Sequence, residues 1–282
     1  MRGRFAPSPT GPLHLGSLVA ALASYLDARA HGGQWLVRME DIDPPREVPG
    51  AADTILRQLT DHGLAWDGPV LYQGRRMAIY RETVQRLLTA GQAYPCNCSR
   101  QRLQSLDGVY DGHCRYRGLE PAGCAVRLFV PDDTLIAFND RLQGPQQQNL
   151  NLMSGDFVIW RRDGLPAYQL AVTLDDALQG ITRVIRGSDL LESTGRQIFL
   201  MRLLGHEPPQ YGHVPLVLNA EGQKLSKQNL APSLDEHPPT DNLHRALDWL
   251  GVDTPQLDEI EALLGQAVDA WRRKTRPHNT TN

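Results

Sequence analysis

The chain has 282 residues, 41% hydrophobic and 22% charged, with a formal net charge of −3. That length supports one large domain with an insert, or two modest domains, around a real core. The charge balance excludes a protein that coats nucleic acid by global charge, while leaving room for a local basic face at Arg75-Arg76, Arg161-Arg162 or Arg272-Arg273-Lys274 with Arg276, runs that also read as solvated surface. No apolar run reaches bilayer-spanning length, and residues 1–9 lack a secretory apolar stretch, so a cytoplasmic protein with no membrane partner is expected. Its four cysteines are then expected as reduced thiols or metal ligands rather than disulfides.

Residues 3–6 predict a short first strand that runs into a Pro/Gly-rich turn. Residues 17–30 are Ala/Leu-rich with helical periodicity, with Ser17 as the expected N-cap and Gly32-Gly33 as the stop. Residues 35–39 predict a buried strand entering Glu40-Asp41-Ile42-Asp43-Pro44-Pro45. A strand–helix–strand unit of this kind implies a parallel pair with a right-handed crossover. Residues 51–62 and 76–90 predict two more amphipathic helices.

The texture changes at Tyr94. Residues 95–124 hold all four cysteines. Short strands are expected at 125–130, 135–139 and 157–161, with the polar stretch 143–151 as a loop. Alternating sheet and helix resumes with 168–173, 182–186 and a helix over 194–204. Residues 214–218 predict a strand entering the turn 219–223. Leu243, Ala246, Leu247 and Leu250 lie at helical spacing, and residues 277–282 are expected to fray. The expected fold is α/β: a Rossmann-like doubly wound parallel sheet (residues 1–94 and 165–232), split by a small zinc-containing α+β insert (95–164), with a short C-terminal helical region (233–282).

Two segments carry the chemistry. Pro7-Ser8-Pro9-Thr10-Gly11-Pro12-Leu13-His14-Leu15-Gly16-Ser17 joins a strand to a helix, where unpaired N–H groups and the helix dipole favour an anion. Gly16 allows close approach of a base or phosphate, and His14 can donate to a phosphate oxygen. Lys224-Leu225-Ser226-Lys227-Gln228 follows a strand, and its ammonium groups can offset charge building on an α-phosphate. Cys96-x-Cys98 followed by Cys114 suits a tetrahedral zinc site of structural type, with Cys124 and His113 as generic candidates for a fourth ligand.

Together, in this order, the first two segments resemble the signatures of class I aminoacyl-tRNA synthetases. Arg4-Phe5-Ala6-Pro7-Ser8-Pro9-Thr10-Gly11, Arg38-Met39-Glu40-Asp41-Ile42-Asp43, and Leu174-Asp175-Asp176 through Gly180-Ile181-Thr182-Arg183-Val184-Ile185-Arg186-Gly187 resemble the glutamyl/glutaminyl branch. Ser17 stands where the class pattern has a second histidine, and the lysine segment carries Leu225 and Gln228 where Met and Ser are usual. The resemblance implies that Arg4, Ser8, Glu40, Tyr168 and Arg186 bind L-glutamate, with Glu40 on its ammonium. It implies that His14, Gly16, Ser226 and Lys227 bind ATP, with His14, Lys224 and Lys227 serving the reaction and Mg²⁺ on the phosphates. The branch's Cys-x-Cys-x₁₁-Tyr-x₃-Cys pattern makes Tyr110 the fourth ligand to Zn²⁺ beside Cys96, Cys98 and Cys114, leaving Cys124 outside.

Residues 229–282 hold only a few helices, where a complete glutamyl-tRNA synthetase carries an anticodon-binding domain. Gly108-Val109-Tyr110-Asp111-Gly112-His113-Cys114 and residues 44–52 resemble the glutamyl-queuosine tRNA(Asp) synthetase family. That resemblance implies glutamate activation without tRNA, then transfer to queuosine in the anticodon stem-loop of tRNA(Asp); a monomer is the default expectation. Two competing expectations are a short synthetase that charges a tRNA 3′ end and a catalytically idle RNA-binding paralogue.

Overall fold

The computed structural model describes residues 1–218 and 232–275. The chain opens with β1 (Arg2–Phe5), α1 (Leu15–Ala30) and β2 (Gln34–Met39), and β2 pairs parallel to β1 with Arg2 opposite Gln34 and Phe5 opposite Val37. α2 (Ala51–Asp61) leads to the short β3 (Leu71–Tyr72), parallel to β2, and α3 (Met77–Thr89) follows. Next come β4 (Ala93–Cys96), α4 (Arg100–Gln104), β5 (Ala125–Leu128), β6 (Leu135–Asp140), β7 (Gly144–Asn149), α5 (Leu150–Met153) and β8 (Val158–Trp160). In this stretch the pairing is antiparallel, as a three-stranded β4-β5-β8 sheet and a β6–β7 hairpin. Parallel structure returns with α6 (Tyr168–Leu178), β9 (Arg183–Gly187), α7 (Leu191–Leu203) and β10 (Gln210–Val214), and α8 (Pro239–Leu250) and α9 (Ile260–Lys274) close the described chain.

Thr182 N–H donates to the Arg2 carbonyl (2.9 Å), which sets β9 against β1. The parallel strands therefore run in the spatial order β10-β9-β1-β2-β3, and the order reverses between β1 and β9. In open α/β sheets such a reversal opens a crevice at the carboxyl ends of the strands.

Helix α1 is apolar almost all round, so it is buried rather than amphipathic. Its alanines Ala21, Ala23 and Ala28 let neighbours approach closely, and Leu18, Leu22 and Leu26 pack with Trp35, Val37, Leu247, Leu263 and Trp271. The C-terminal helices are built into this core. Trp271 Nε1 donates to Asp27 (3.3 Å), and Arg272 Nε to the Ala30 carbonyl (2.8 Å). The Leu243, Ala246, Leu247 and Leu250 stripe forms the buried face of α8, which Gly251 ends in the left-handed region (φ 59°). A second core joins Tyr80, Val126, Ile159, Leu170, Leu174 and Ile198.

Several local expectations change. α1 starts at Leu15, not Ser17: His14 is extended and its Nδ1 accepts the Ser17 N–H (3.3 Å), so the histidine is the N-cap. Residues 144–149, expected as loop, form β7; its polarity hid it, because Gln148 is buried but donates to the Leu191 carbonyl and accepts from Gly195 N–H. Residues 168–173 are helical, within α6. The strand expected at 214–218 ends at Val214, because Pro215 offers no N–H to a ladder. The segment 219–231, with Lys224, Ser226 and Lys227, and residues 276–282 lie outside the described residues. Among the described residues no helix is long and apolar enough to cross a membrane.

Candidate active site

A cavity of about 530 Å³ opens at the reversal point, over the carboxyl ends of β1, β2, β9 and β10. Arg4, Ser8, His14, Gly16, Glu40, Tyr168 and Arg186 all line it, so every expected site residue among the described ones for glutamate and ATP meets at one place. They come from separate segments: the end of β1 and its turn, the start of α1, the residue after β2, the first residue of α6, and β9. Gly11, in the turn, has φ 129°, a backbone geometry that favours glycine. At the start of α1, His14 accepts at Nδ1, so a neutral ring carries its proton on Nε2 as a donor.

One wall is a buried ion network. Asp176, on α6, is 2% exposed and takes both Arg4 (Nε to Oδ1 3.1 Å, Nη2 to Oδ2 3.2 Å) and Arg38 (Nη1 to Oδ1 2.8 Å). Arg38, fully buried, also reaches Glu40 (Nη2 to Oε1 3.4 Å). Two arginines near one carboxylate hold Asp176 below the usual carboxylate range, although burial pushes the other way. Glu40 is raised, because desolvation outweighs the pull of Arg38 and Arg4. A cation in the cavity would favour the charged form of Glu40. The neighbouring Asp175 faces the other way, accepting from Gln73 Nε2 (2.8 Å), Arg76 Nε (2.7 Å) and the Tyr80 hydroxyl (2.6 Å).

The opposite wall carries Arg186. Its Nε donates to His213 Nε2 (3.0 Å), and its Nη2 to Thr194 Oγ1 (2.9 Å) and the Leu190 carbonyl (3.3 Å). Nη1 is buried with no hydrogen-bond partner among the described residues. His213 on β10 is fully buried, and its Nδ1 lies 2.5 Å from Asp140 Oδ2 at the end of β6. Asp140 Oδ1 accepts the backbone N–H groups of His213 (3.0 Å), Leu142 (3.0 Å) and Gln143 (2.9 Å).

Sequence reasoning left Asp176 without a role and missed Arg38, Asp140, Thr194 and His213. Arg38 had a signal: a guanidinium inside an otherwise apolar strand must find a buried acid. Asp140 and His213 had none, being 73 residues apart with no shared spacing.

A third cluster lies away from the cavity. The Sγ atoms of Cys96, Cys98 and Cys114 lie within 4.8 Å of one another, all buried, and Cys98 Sγ is 3.5 Å from Cys114 Sγ. The Tyr110 hydroxyl sits 3.4 Å from Cys96 Sγ and 3.5 Å from Cys98 Sγ, and accepts the Cys114 N–H (3.0 Å). Edges of this length match tetrahedral zinc with Zn–S near ~2.3 Å. Arg127 Nε donates to Cys96 Sγ (3.3 Å), and its guanidinium lies 3.7 Å from the centre of the Tyr110 ring. Burial works against the Cys114 thiolate, but hydrogen bonds from Tyr110 and Asn97 bring it down to about 7. Cys124 and His113 are not among the clustered donors.

The arginine runs are partly committed to the fold. Arg76 pairs with Asp175, Arg161 with Asp163 and Asp43, and Arg272 with Asp269. Beside the cysteines, however, a cavity of about 440 Å³ is lined by Arg100, Arg127, Arg161 and Arg162, with Asp163.

Comparison with known proteins gives the same direction. The family model for class I tRNA synthetases (E and Q), catalytic domain, matches residues 1–247. Curated relatives named glutamyl-Q tRNA(Asp) synthetase include those of Cronobacter sakazakii (54% identical; 95% of this chain, 91% of that one) and Neisseria meningitidis (53%; 95% of each). The Escherichia coli relative of that name is 51% identical over 98% of this chain and 91% of its own. A solved glutamate tRNA ligase of Elizabethkingia meningosepticum, in complex with its amino acid, superposes with TM-score 0.79 at 27% identity. This chain is covered to 95% in that match and spans 64% of the ligase.

Proposed function

Since the chain belongs to the class I tRNA synthetases of the E and Q group, we propose that it activates L-glutamate with ATP and transfers it to queuosine at the wobble position of tRNA(Asp). The observation that carries the activation step is the charge pattern of the main cavity: a buried carboxylate, Glu40, on one wall and on another a guanidinium edge, Arg186 Nη1, that has no hydrogen-bond partner among the described residues. A ligand with one ammonium and a second carboxylate suits that pattern, since guanidinium pairs naturally with carboxylate. The tRNA target rests on the names of relatives that match this chain along nearly its whole length.

In this reading Glu40 holds the glutamate ammonium, and Tyr168 and Arg186 receive its side-chain carboxylate. Arg4 and Ser8 border the amino acid, with the Nε–Nη2 edge of Arg4 occupied by Asp176. ATP lies over the start of α1, where Gly16 permits close approach and His14 Nε2–H faces phosphate. An oxygen of the glutamate α-carboxylate attacks the α-phosphorus, the bond to the β-phosphate oxygen breaks, and pyrophosphate leaves. The protein positions the reactants and stabilises developing charge. Lys224, Ser226 and Lys227 are assigned to the phosphates by sequence, and Mg²⁺ would share their charge. In the second step queuosine displaces AMP from the glutamyl carbonyl.

Cys96, Cys98, Cys114 and Tyr110 would hold a structural Zn²⁺, which cross-links the loop-rich segment between β4 and β5. The arginine-lined cavity beside them has the chemistry of a phosphate-contacting surface for the RNA.

Transfer of labelled glutamate, with ATP and Mg²⁺, tests this reading on queuosine-containing tRNA(Asp), unmodified tRNA(Asp) and tRNA(Glu). Each is supplied intact and with the 3′-terminal adenosine removed. Label on queuosine tRNA(Asp) alone, retained after trimming, is the expected result. Label on tRNA(Glu) that trimming abolishes makes this a 3′-end synthetase, and no glutamate-dependent pyrophosphate exchange makes it an idle paralogue.

A further inference from the structure

We infer that His213, locked in one tautomer by Asp140, is a positioning residue that makes the cavity select glutamate over glutamine. The inference rests on the reading that Arg186 receives the side-chain carboxylate of the amino acid. It starts from a contrast between arginines around one cavity. Arg4 and Arg38 are paired with a carboxylate, Asp176. Arg186 is equally buried, at 4% exposure, yet its named hydrogen-bond partners are an imidazole, a hydroxyl and a backbone carbonyl, all neutral. These fix the Nε and Nη2 edges and leave Nη1, in a residue that lines the cavity, buried without a partner among the described residues.

A carboxylate at position 213 would orient the guanidinium but cancel its charge. A neutral acceptor orients it and leaves the full positive charge for a ligand. Glutamate can answer that charge, whereas the glutamine amide cannot, and an unanswered buried charge is costly.

The imidazole accepts from Arg186 only if Nε2 is unprotonated. Asp140 enforces this. Its Oδ1 is held by three backbone N–H groups, so Oδ2 faces His213 Nδ1 and draws the ring proton there. Burial holds His213 below the usual histidine range, against the pull of Asp140, and Arg186 adds to the lowering. The β6–β7 hairpin, which supplies Asp140, thereby reaches the amino-acid site without touching the ligand.

The test is amino-acid-dependent pyrophosphate exchange by the full chain with glutamate and glutamine, with melting temperature read alongside. His213→Phe keeps the ring volume and loses the acceptor. Asp140→Asn keeps the backbone contacts through its amide oxygen but turns NH₂ toward Nδ1, which forces the ring proton to Nε2, against Arg186. Both are expected to raise the glutamate KM about ten- to hundredfold, the size of one lost charge-assisted hydrogen bond. The KM for ATP stays within about twofold, and glutamate-over-glutamine preference falls by about tenfold or more. His213→Gln, whose amide oxygen can take the acceptor position, recovers most of the preference. Folded His213→Phe and Asp140→Asn proteins that keep the wild-type glutamate KM and preference overturn the inference. If both fail to fold, ¹⁵N shifts of His213 in the wild-type protein decide: protonated Nδ1 with bare Nε2 is expected, and a proton on Nε2 overturns it. Arg186→Ala separates the two levels. If it leaves the glutamate KM unchanged, the reading of Arg186 itself fails. If it raises KM while the His213 and Asp140 variants do not, only the present inference fails.

Discussion

Asp176→Asn removes one charge and almost no volume, from a residue that is 2% exposed and serves two arginines. The asparagine oxygen can still accept one hydrogen bond, but its NH₂ group must face a guanidinium. Arg4 and Arg38 then lose their shared carboxylate as buried positive charges, with Glu40 still 3.4 Å from Arg38 and Asp175 acting on it from farther off. Breaking a buried pair by removing one partner costs about 3–5 kcal/mol. An unfolding entropy of about 2.1 cal/mol/K per residue, over 282 residues, converts that cost into a fall of about 5–8 °C in melting temperature. The cavity should register the change too, because Arg4 and Glu40 both line it and both are braced through Asp176. The assay is thermal unfolding together with the glutamate KM in pyrophosphate exchange, which should rise about tenfold or more. A variant that melts within about 2 °C of the parent and keeps its glutamate KM refutes Asp176 as the shared counter-ion. A pH series adds a sign. Asp176 is lowered in the fold, so its contribution is present above the unfolded value near ~3.9 and is lost as pH falls through the folded value; the variant should lose less stability in acid than the parent.

Tyr110→Phe deletes one donor and keeps the ring under Arg127, so zinc measured per purified chain should fall from about one equivalent after dialysis against a mild chelator; full retention assigns the fourth ligand elsewhere. Gly155→Ala puts a Cβ 2.1 Å from the Tyr110 carbonyl oxygen at φ 59°, so it should cost about 1–3 kcal/mol or more and loosen zinc; an unchanged melting curve rules out that close approach. His62 and His213 are both lowered by burial, so the unfolded chain takes up protons near pH ~6.5 that the folded chain resists. Stability should therefore fall as pH drops below about 6.5, less steeply in His213→Gln, and a flat profile between about pH 7 and 5 contradicts this.

The site was more legible than the fold's details, for a physical reason. The residues we propose for phosphate and amino acid sit at chain positions fixed by local geometry: a strand end, a Gly/Pro turn, the first turn of a helix. Arg4, Ser8, His14, Gly16 and Glu40 therefore appear in compact motifs, and the structure brings them to one cavity with Tyr168 and Arg186. The elements whose sequence pattern misleads are those where a side chain replaces an expected pattern. β7 reads as polar loop because Gln148 satisfies its buried amide against α7, a partner invisible to periodicity. The start of α1 reads two residues late because an imidazole is an uncommon N-cap.

The groups that hold the site residues in place were illegible for a different reason. Asp176 serves Arg4 across 172 residues of chain, and Asp140 serves His213 across 73. A contact residue is constrained by its ligand and by its own turn of backbone, so a motif can encode it. A bracing residue is constrained only by another side chain, and topology alone brings the two together. Burial nevertheless leaves a trace. Each guanidinium at the cavity wall demands an acceptor, so a sequence that places Arg4, Arg38 and Arg186 at strand positions already requires distant partners. The structure names them as a carboxylate for the first two and a neutral imidazole for the third, and that difference in charge separates a scaffold arginine from one that can answer a ligand.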